Sequence, residues 1–411
     1  MDFSEGPAAR SDTSQEALSR CVGDVDRFFA DTWGKAPLLQ RRREPRGFDD
    51  LLTLSDVDFI LTTTWLRTPA FRLVKDGKPL DERSYTKWAG VGSRGAYGAV
   101  DPGKVYSLFH DGATVVLQAM QRYWLPLARF IRDLEVTLTL PAQANAYITP
   151  PGSQGLAVHY DTHDVFVLQV SGSKTWQIYD PVIESPLPSQ ASIEGETTTL
   201  VLETDLEPGD MLYIPRGWRH AATAQAAASA HMTIGVLNYA WYDVLQEVLL
   251  QAKDELAFRE TVPVGYAREG SGFADDIAGR LQTLRDWLQG VDVEGVAATL
   301  RRQFWAGRPP LLVGQMAQLE QLDELGDDSL VRRRVGAVCL LEPDEREGRL
   351  RAILGDRELV VPRELEATLR MLLDGSAVRV KQLEDLDAES RLLLVRRLIR
   401  EGLLECVGLP G

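Results

Sequence analysis

The residues that decide the fold are Gly155–Asp161, which read GLAVHYD, and Glu207–His220, which read EPGDMLYIPRGWRH. Side chains two residues apart on a β-strand point to the same face, so His159 and Asp161 can direct an imidazole and a carboxylate into one cavity. His220, from a later strand, supplies a third candidate ligand. Two histidines and one carboxylate occupy one face of an octahedral Fe(II) ion and leave the opposite positions open. The pattern predicts a non-haem iron site.

A His-X-Asp triplet by itself is weak support for a metal site, because short motifs recur by chance in long chains. Here, however, three of the five histidines lie in one window of alternating, β-branched sequence: His159, His163 and His220. Short strands separated by turns are predicted at Asp164–Val170, Lys174–Tyr179, Met211–Ile214 and His231–Leu237. Ligands carried by several short strands are typical of a double-sheet jelly roll of the cupin kind.

Lys174 follows the turn Ser171–Ser173 and lies on the strand that a hairpin would return beside the metal strand. A buried lysine is rare unless it is paired. A dicarboxylate that chelates iron through one end would offer its far carboxylate to this ammonium, which is how a 2-oxoglutarate site is built. The alternative is an exposed hairpin lysine beside a turn. With the metal motif present, we favour the functional interpretation.

These segments, together with Asn145–Leu156 (NAYITPPGSQGL), Phe166–Trp176 (FVLQVSGSKTW) and Phe28–Arg41 (FFADTWGKAPLLQR), closely resemble the Jumonji-C oxygenases. Among these enzymes the chain looks most like the ribosomal oxygenases, which hydroxylate a side chain of a ribosomal protein. The resemblance implies an α+β chain whose catalytic core is a double-stranded β-helix. It also implies Fe(II) as the metal, 2-oxoglutarate as co-substrate and O₂ as oxidant.

Carried over residue by residue, the resemblance gives His159, Asp161 and His220 as the catalytic iron ligands. It gives Lys174 as the anchor for the distal carboxylate of 2-oxoglutarate and Asn145 as a further co-substrate contact. One position departs from the pattern: Gly235 stands where close relatives place a serine near the co-substrate. The missing hydroxyl is expected to alter the packing around the co-substrate.

The favoured function is therefore a 2-oxoglutarate-dependent dioxygenase that hydroxylates a histidine or arginine of a ribosomal protein or another basic peptide. A peptide-tailoring hydroxylase of a biosynthetic pathway and a lysyl demethylase keep the same chemistry and stay open as alternatives. A third possibility is a cupin that holds metal without turnover. The presence of all four residues His159, Asp161, His220 and Lys174 speaks against that last alternative.

The amino-acid composition of this 411-residue chain restricts the classes of molecule that it is expected to bind. A net charge of −15 argues against general binding of nucleic acid or anionic membranes, and it suits a basic protein partner. The three cysteines Cys21, Cys339 and Cys406 are odd in number and widely spaced, so we expect reduced thiols in an intracellular protein. No apolar stretch approaches the length of a membrane span. The expected location is the cytoplasm.

The chain is expected to have four parts: a disordered tail at 1–15, a catalytic domain at 16–240 with its core at 141–240, a helical region at 241–325, and a winged-helix-like domain at 326–411. The resemblance favours a homodimer through the helical region. From Glu358 to the end, ten acidic and eight basic residues leave a charge of −2, without the basic face that DNA binding requires.

Further local predictions concern single segments. A helix is predicted at Val115–Leu125, and loops at Gly90–Gly98 and Asp101–Gly103. Beyond the barrel, the sequence predicts helices at Tyr242–Phe258, Ile277–Leu288 and Val293–Phe304, strands at Val335–Leu340, Leu350–Leu354 and Glu358–Val361, and helices that start near Pro362 and Ala388. His163 has two interpretations: a substrate contact or decoy ligand near the iron, or a histidine of the core or the pocket rim.

Overall fold

The structure is a computed structural model that describes residues 16–42, 47–91, 94–153, 157–190 and 199–409. The tail at 1–15, predicted to be disordered, lies outside these residues. The chain divides into two compact units, Met1–Asn238 and Tyr239–Gly411. Each unit has its own elements and its own core, and the finer division into four parts stays a prediction.

The first unit combines short strands with a few helices. Its strands are β1 (Leu38–Gln40), β2 (Phe71–Lys75), β3 (Lys78–Pro79), β4 (Thr86–Val91), β5 (Arg94–Val100), β6 (Thr114–Leu117), β7 (Ala142–Thr149), β8 (Asp164–Ser171), β9 (Lys174–Pro181), β10 (Leu200–Leu206), β11 (Met211–Ile214), β12 (Trp218–Ala224) and β13 (Ser229–Val236). Its helices are α1 (Glu16–Val22), α2 (Val25–Arg27), α3 (Leu54–Thr63), α4 (Pro102–His110) and α5 (Leu125–Leu138).

Two antiparallel sheets build the barrel. The larger has eight strands in the order β1-β11-β8-β13-β7-β6-β2-β3, and the smaller has three in the order β10-β9-β12. Neighbours in both sheets are often far apart in sequence, which is typical of a jelly roll. The predicted double-sheet cupin core, within a chain that mixes helices and strands, is confirmed.

Strand β8 is buried on both faces, as the sequence predicts. Phe166 and Leu168 point into the large apolar core that the larger sheet shares with the helices. Val165 and Val167 point the other way, into a smaller cluster with Trp176 of β9. A strand between two apolar layers has no polar face at these positions, which explains the apolar run Val165–Leu168.

Strand β7 alternates instead. Ala144 and Ala146 are buried in the large core, so Asn145 and Tyr147 must lie on the opposite face of the strand. Strand β13, its neighbour, has the same alternation, with Met232 in the core. The faces of β7 and β13 that turn away from the large core therefore form a wall with polar side chains.

The turn between β8 and β9 depends on Gly172, whose φ is +61°. A Cβ at this position would lie 2.1 Å from the carbonyl oxygen of Ala228. Backbone conformation and space both exclude a side chain here. This tight turn fixes the register that brings Lys174 back into the barrel.

The predicted helix at Val115–Leu125 is wrong. Thr114–Leu117 is strand β6, buried throughout and paired with β2 and β7. Helix α5 begins only at Leu125, with a proline in its first turn. The β-branched valines favour a strand. Hydrogen bonding to a neighbouring strand on each side stabilises the extended conformation, although the spacing of the apolar residues resembles that of a helix.

The two predicted loops are also wrong. Among the described residues of Gly90–Gly98, the chain forms part of the hairpin β4–β5. Asp101–Gly103 starts helix α4: the Asp101 carboxylate accepts a hydrogen bond from the Lys104 N–H, and Pro102 occupies the first turn. An Asp-Pro pair is a turn signal, but it is equally a helix start.

The second unit contains helices α6 (Trp241–Gln251), α7 (Leu256–Arg259), α8 (Phe273–Leu288), α9 (Val293–Ala306), α10 (Gln315–Glu320), α11 (Glu366–Leu373) and α12 (Ala388–Arg400). Its strands are β14 (Leu330–Arg333), β15 (Leu340–Pro343), β16 (Arg349–Ile353), β17 (Glu358–Pro362), β18 (Val378–Arg379) and β19 (Leu404–Gly408). They form two three-stranded sheets, β18-β14-β19 and β15-β16-β17. No helix among the described residues is long and apolar enough to cross a membrane.

Most predicted elements of the second unit are confirmed, with two differences. The helix predicted at Tyr242–Phe258 is interrupted, because α6 ends at Gln251 and α7 begins at Leu256. Val335–Leu340 is a strand only from Leu340 onward. Gly336 has a φ of +75°, and the Ala337 N–H donates to the Arg334 carbonyl at 3.0 Å, so a turn occupies the start of the segment. The apolar core of this unit draws on residues from Leu322 to Leu404.

Candidate metal and co-substrate site

Three side chains converge in the barrel: His159, Asp161 and His220. One ligand atom from each lies within 4.8 Å of the other two. The Nε2 atom of His220 is 3.7 Å from Oδ2 of Asp161, and the two imidazole centroids are 4.5 Å apart. The structure brings together the three predicted ligands, and their assignment as iron ligands stays a prediction.

The backbone fixes which nitrogen of each imidazole faces the centre. Nδ1 of His159 is 2.8 Å from the Ala157 carbonyl, and Nδ1 of His220 is 3.1 Å from the Trp218 carbonyl. A carbonyl oxygen can only accept a hydrogen bond, so Nδ1 carries the proton and donates it to this bond, and Nε2 of the neutral ring keeps its lone pair. This is the arrangement that a pair of metal-binding histidines requires.

His220 is neutral at pH 7. Burial lowers its pKa to about 4, charge on His159 acts in the same direction, and Asp161 opposes them. A neutral imidazole can donate its lone pair to a cation. Two imidazoles and a carboxylate fit a divalent transition metal and leave room for other ligands.

The segment that carries His159 and Asp161 is not a regular strand, contrary to prediction. His159 and His220 form an isolated antiparallel bridge: His220 N–H donates to the His159 carbonyl at 2.8 Å, and the reverse bond is 3.2 Å. The Gly217 N–H donates to the Asp161 carbonyl at 2.9 Å. These three backbone hydrogen bonds hold the segment of His159 and Asp161 beside the segment of His220, although the two segments do not form a regular strand pair. His220 itself lies on β12.

Lys174 is the buried cation of the barrel, with 2% of its surface exposed. Its ammonium donates to the Thr149 hydroxyl at 3.1 Å. No carboxylate among the described residues forms an ion pair with it, and burial lowers its pKa to about 7. A buried lysine with spare donors and no anion is suited to a carboxylate from outside the chain. The alternative of an exposed hairpin lysine is excluded.

The polar wall contains further residues that the sequence argument missed as site residues. Tyr147 lies opposite His231 in the pairing of β7 with β13. Burial and the charge of Asp161 raise the Tyr147 pKa. Asn145, predicted to contact the co-substrate, lies on the same face, and its Oδ1 accepts the Ala119 N–H at 3.0 Å. The polar residues at every second position of β7 are the signal that could have found this wall.

His231 is buried within an aromatic frame. Its ring stacks on Tyr147 with centroids 5.1 Å apart and meets Trp176 edge-on at 5.4 Å. Within the described residues, His231 Nδ1 and Trp176 Nε1 are buried without a hydrogen-bond partner. Unpaired buried polar atoms beside Lys174 are consistent with a polar occupant of this part of the barrel.

The expectation for Gly235 changes with the structure. The space that a side chain would fill at this position contains the imidazole of His163. The hydroxyl expected at this position is therefore absent, and the imidazole ring of His163 occupies its place.

Asp164, which follows His163, was also missed by the sequence argument. Its buried carboxylate accepts a hydrogen bond from the Arg216 N–H at 2.9 Å and another from the Asn238 amide.

A comparison with protein families finds one match that coincides with this site: residues 119–244 match the JmjC domain. This chain carries a JmjC domain. All three candidate ligands and Lys174 lie inside the matched region. The predicted resemblance to the Jumonji-C proteins is confirmed.

The chain is also similar in sequence to several curated proteins, over a longer stretch than the JmjC domain. The bifunctional lysine-specific demethylase and histidyl-hydroxylase NO66 of Culex quinquefasciatus is 31% identical over 269 residues, covering 62% of this chain and 40% of the relative. Ribosomal oxygenase 1 of Rattus norvegicus is 33% identical over 252 residues, covering 58% and 40%. The chain thus spans about two fifths of the length of these relatives. Ribosomal oxygenase 2 of Mus musculus is 28% identical over 418 residues, covering 90% and 86%.

Among solved structures, E. coli ycfD matches with a TM-score of 0.53 and 17% identity, covering 93% of this chain and 98% of ycfD. A second structure describes YcfD as a ribosomal oxygenase in complex with cobalt and 2-oxoglutarate, with a TM-score of 0.52 and 17% identity. At this identity the likeness concerns the fold. The JmjC domain therefore lies within a chain whose fold resembles YcfD.

Proposed function

We propose that this protein is an Fe(II)- and 2-oxoglutarate-dependent dioxygenase that hydroxylates a side chain of a protein. The observation that carries the proposal is the convergence of His159, Asp161 and His220, with the Nε2 atoms of both imidazoles turned inward by backbone carbonyls. The JmjC match and the names of the relatives support the same chemistry.

Each residue has a defined part in the proposed reaction. His159, Asp161 and His220 would hold the metal, and Lys174 would bind the distal carboxylate of 2-oxoglutarate. When bound, the metal and 2-oxoglutarate supply the oxidising power that, with O₂, converts a substrate C–H into C–OH and yields succinate and CO₂. The apolar layer around Trp176 limits the access of water to the buried end of the site.

Co-substrate affinity should fall as pH rises. A carboxylate binds the protonated form of Lys174, whose pKa in the free protein is lowered by burial to about 7. Above that pH the free lysine is increasingly neutral, so the Kd for 2-oxoglutarate should rise up to about tenfold per pH unit. Calorimetry with Mn(II) between pH 6 and 8.5 measures this slope. Lys174→Arg keeps its charge across the range, so a slope that persists in that variant would contradict the assignment.

A ribosomal protein is the proposed substrate, as in the relatives named ribosomal oxygenases. The net charge of −15 suits a basic partner. Intact masses of ribosomal proteins from cells with and without the gene test this. We expect one protein to lose the mass of one oxygen in the deletion strain and to regain it with the wild-type gene but not with His159→Ala.

Unchanged masses would remove the ribosomal substrate and leave the dioxygenase chemistry in place. A peptide-tailoring hydroxylase would then show its product on peptides encoded near the gene. A lysyl demethylase, an activity in the name of the Culex relative, would instead release formaldehyde from a methylated peptide. A metal-binding cupin without turnover would form no succinate with any of these substrates.

We also propose that the helical region forms a homodimer. Helix α6 has no buried residue among its eleven, although Trp241, Tyr242, Leu245, Leu249 and Leu250 are large and apolar. Such a face is uncommon on a monomer and is typical of an interface. A second copy offers the same apolar face and therefore matches it in chemistry.

Replacing both Leu245 and Leu249 with serine should shift the protein from dimer to monomer. Each leucine exposes about half of its side chain in one chain, so its burial in a dimer contributes on the order of 1 kcal/mol. Light scattering at micromolar concentration measures the mass. Glu247→Ser on the same helix is the matched control, because Glu247 is two residues from each leucine and so lies on the opposite side of the helix, and it should leave the dimer intact. A wild-type protein that is monomeric at this concentration would contradict the proposal.

Two further assignments are part of the proposal. The winged-helix-like domain at 326–411 is supported by its own apolar core and by helices α11 and α12 beside two small sheets. A cytoplasmic location is supported by three unpaired cysteines, Cys21, Cys339 and Cys406.

A further inference from the structure

Gly235 and His163 form a single packing unit inside the barrel. An ideal Cβ at Gly235 would lie 2.6 Å from Nε2 and 2.7 Å from Cδ2 of His163. A real Cβ atom does not make contacts this short, so the ring occupies the volume that any side chain at 235 would need. Gly235 shares its strand face with His231 and Thr233, which belong to the polar wall. The imidazole of His163 is therefore directed to the co-substrate side of the sheet.

The backbone of His163 is held from both sides. Before it, the Asp161 carbonyl accepts the Gly217 N–H at 2.9 Å. After it, Asp164 is fully buried, and its carboxylate accepts the Arg216 N–H at 2.9 Å. Because the chain is held at Asp161 and at Asp164, and because Gly235 leaves space for the ring, the fold determines the position of the imidazole.

The imidazole of His163 is available to a ligand. The ring is half-buried, and neither ring nitrogen has a hydrogen bond or an ion pair within the part of the chain that the structure describes. His159 and His220 differ, because their Nδ1 atoms are bound to carbonyls. His163 follows the candidate ligand Asp161 by two residues, yet it is not a member of the ligand cluster.

We propose that His163 contacts the substrate and donates or accepts a hydrogen bond at the side chain to be hydroxylated. The inference rests on the proposed dioxygenase function and adds a residue that recognises the target side chain. An imidazole desolvated against an aliphatic side chain would lose its bonds to water without replacement. The target side chain therefore carries a hydrogen-bonding group, such as an imidazole, a guanidinium or an amide. Gly235 acts as a positioning residue, because its lack of a side chain leaves the space that the His163 ring occupies.

The test uses the full chain with Fe(II), 2-oxoglutarate and unmodified ribosomal proteins purified from cells that lack the gene. Hydroxylation is followed by mass spectrometry at limiting substrate. His163→Val should lower the rate about tenfold, as expected for the loss of one hydrogen bond to substrate, whereas His163→Gln, which keeps a polar end, should recover part of it. His110→Val on the exposed end of α4 is the matched control and should match the wild type.

A double-mutant cycle tests the pair. Gly235→Ala should displace the ring and lower the rate in the wild-type background, but it should cost nothing further in His163→Val, because its effect passes through His163. Gly279→Ala, where a Cβ meets no atom within 4 Å, is the matched glycine control. Calorimetry with Mn(II) and 2-oxoglutarate, and the thermal midpoint, supply readouts other than turnover.

Three outcomes would overturn the inference: an unchanged rate in His163→Val, an equal cost of Gly235→Ala in both backgrounds, or weaker Mn(II) binding that accounts for the whole loss. In each of these cases the wild type still hydroxylates its substrate. If the wild type forms no hydroxylated ribosomal protein and no succinate in this assay, the proposed ribosomal substrate has failed, and the inference, which needs a substrate, fails with it.

Discussion

Replacing Asp161 with alanine is expected to abolish hydroxylation and to weaken metal binding by more than about hundredfold. Loss of an outer partner of a ligand alone costs 10- to 100-fold in metal proteins, and Asp161 is the only anionic member of the proposed triad. Two imidazoles would remain, with no negative charge to balance a divalent cation. Calorimetry with Mn(II) measures the affinity, and succinate formation measures the turnover.

The fold should survive this substitution. The structural contact of Asp161 with Gly217 is made by its backbone carbonyl, which alanine retains. The thermal midpoint in the absence of metal should therefore stay within a few degrees of the wild type. Asp26→Ala, at an exposed position of α2, is the matched control for metal binding. Tight Mn(II) binding by the Asp161 variant would place the metal elsewhere.

Much of the barrel could be predicted because its strands are short, apolar and bounded by turn residues. Asp164–Val170 reads as a strand buried on both faces, and its two faces do enter two different apolar clusters. The three ligands could be found because the chain has few histidines and their spacing is distinctive. These signals are local, and they do not depend on which elements pack together.

The errors occur where tertiary contacts decide. The valines of β6 have the periodicity of a helix, but hydrogen bonds to β2 and β7 made the segment a strand. Likewise, nothing in the sequence near Gly235 indicates His163, 72 positions earlier, because only the pairing of β13 with β8 brings them together. A missing hydroxyl was visible from sequence, whereas the ring that replaces it was not.

Replacing Lys174 with methionine is expected to weaken 2-oxoglutarate binding by about hundredfold or more, while it stabilises the protein without ligand. Methionine has a similar volume and no charge. The buried ammonium has one hydroxyl partner, Thr149, so the distal carboxylate would lose its ion pair and become an unpaired buried charge. Calorimetry with Mn(II) and 2-oxoglutarate measures the loss, and Lys87→Met, at an exposed position of β4, should leave affinity unchanged.

The stabilising effect has a defined dependence on pH. Burial lowers the pKa of Lys174 from 10.5 to about 7, so the unfolded chain binds the proton more tightly than the folded one between these values. The destabilisation by Lys174 is therefore absent above about pH 10.5, grows as pH falls, and is complete below about pH 7. The Lys174→Met variant should exceed the wild type in thermal midpoint by several degrees at pH 6 and by much less at pH 10. A midpoint difference that is the same at both pH values would mean that the lysine already has an anionic partner in the folded chain, and that its proposed role as the 2-oxoglutarate anchor is wrong.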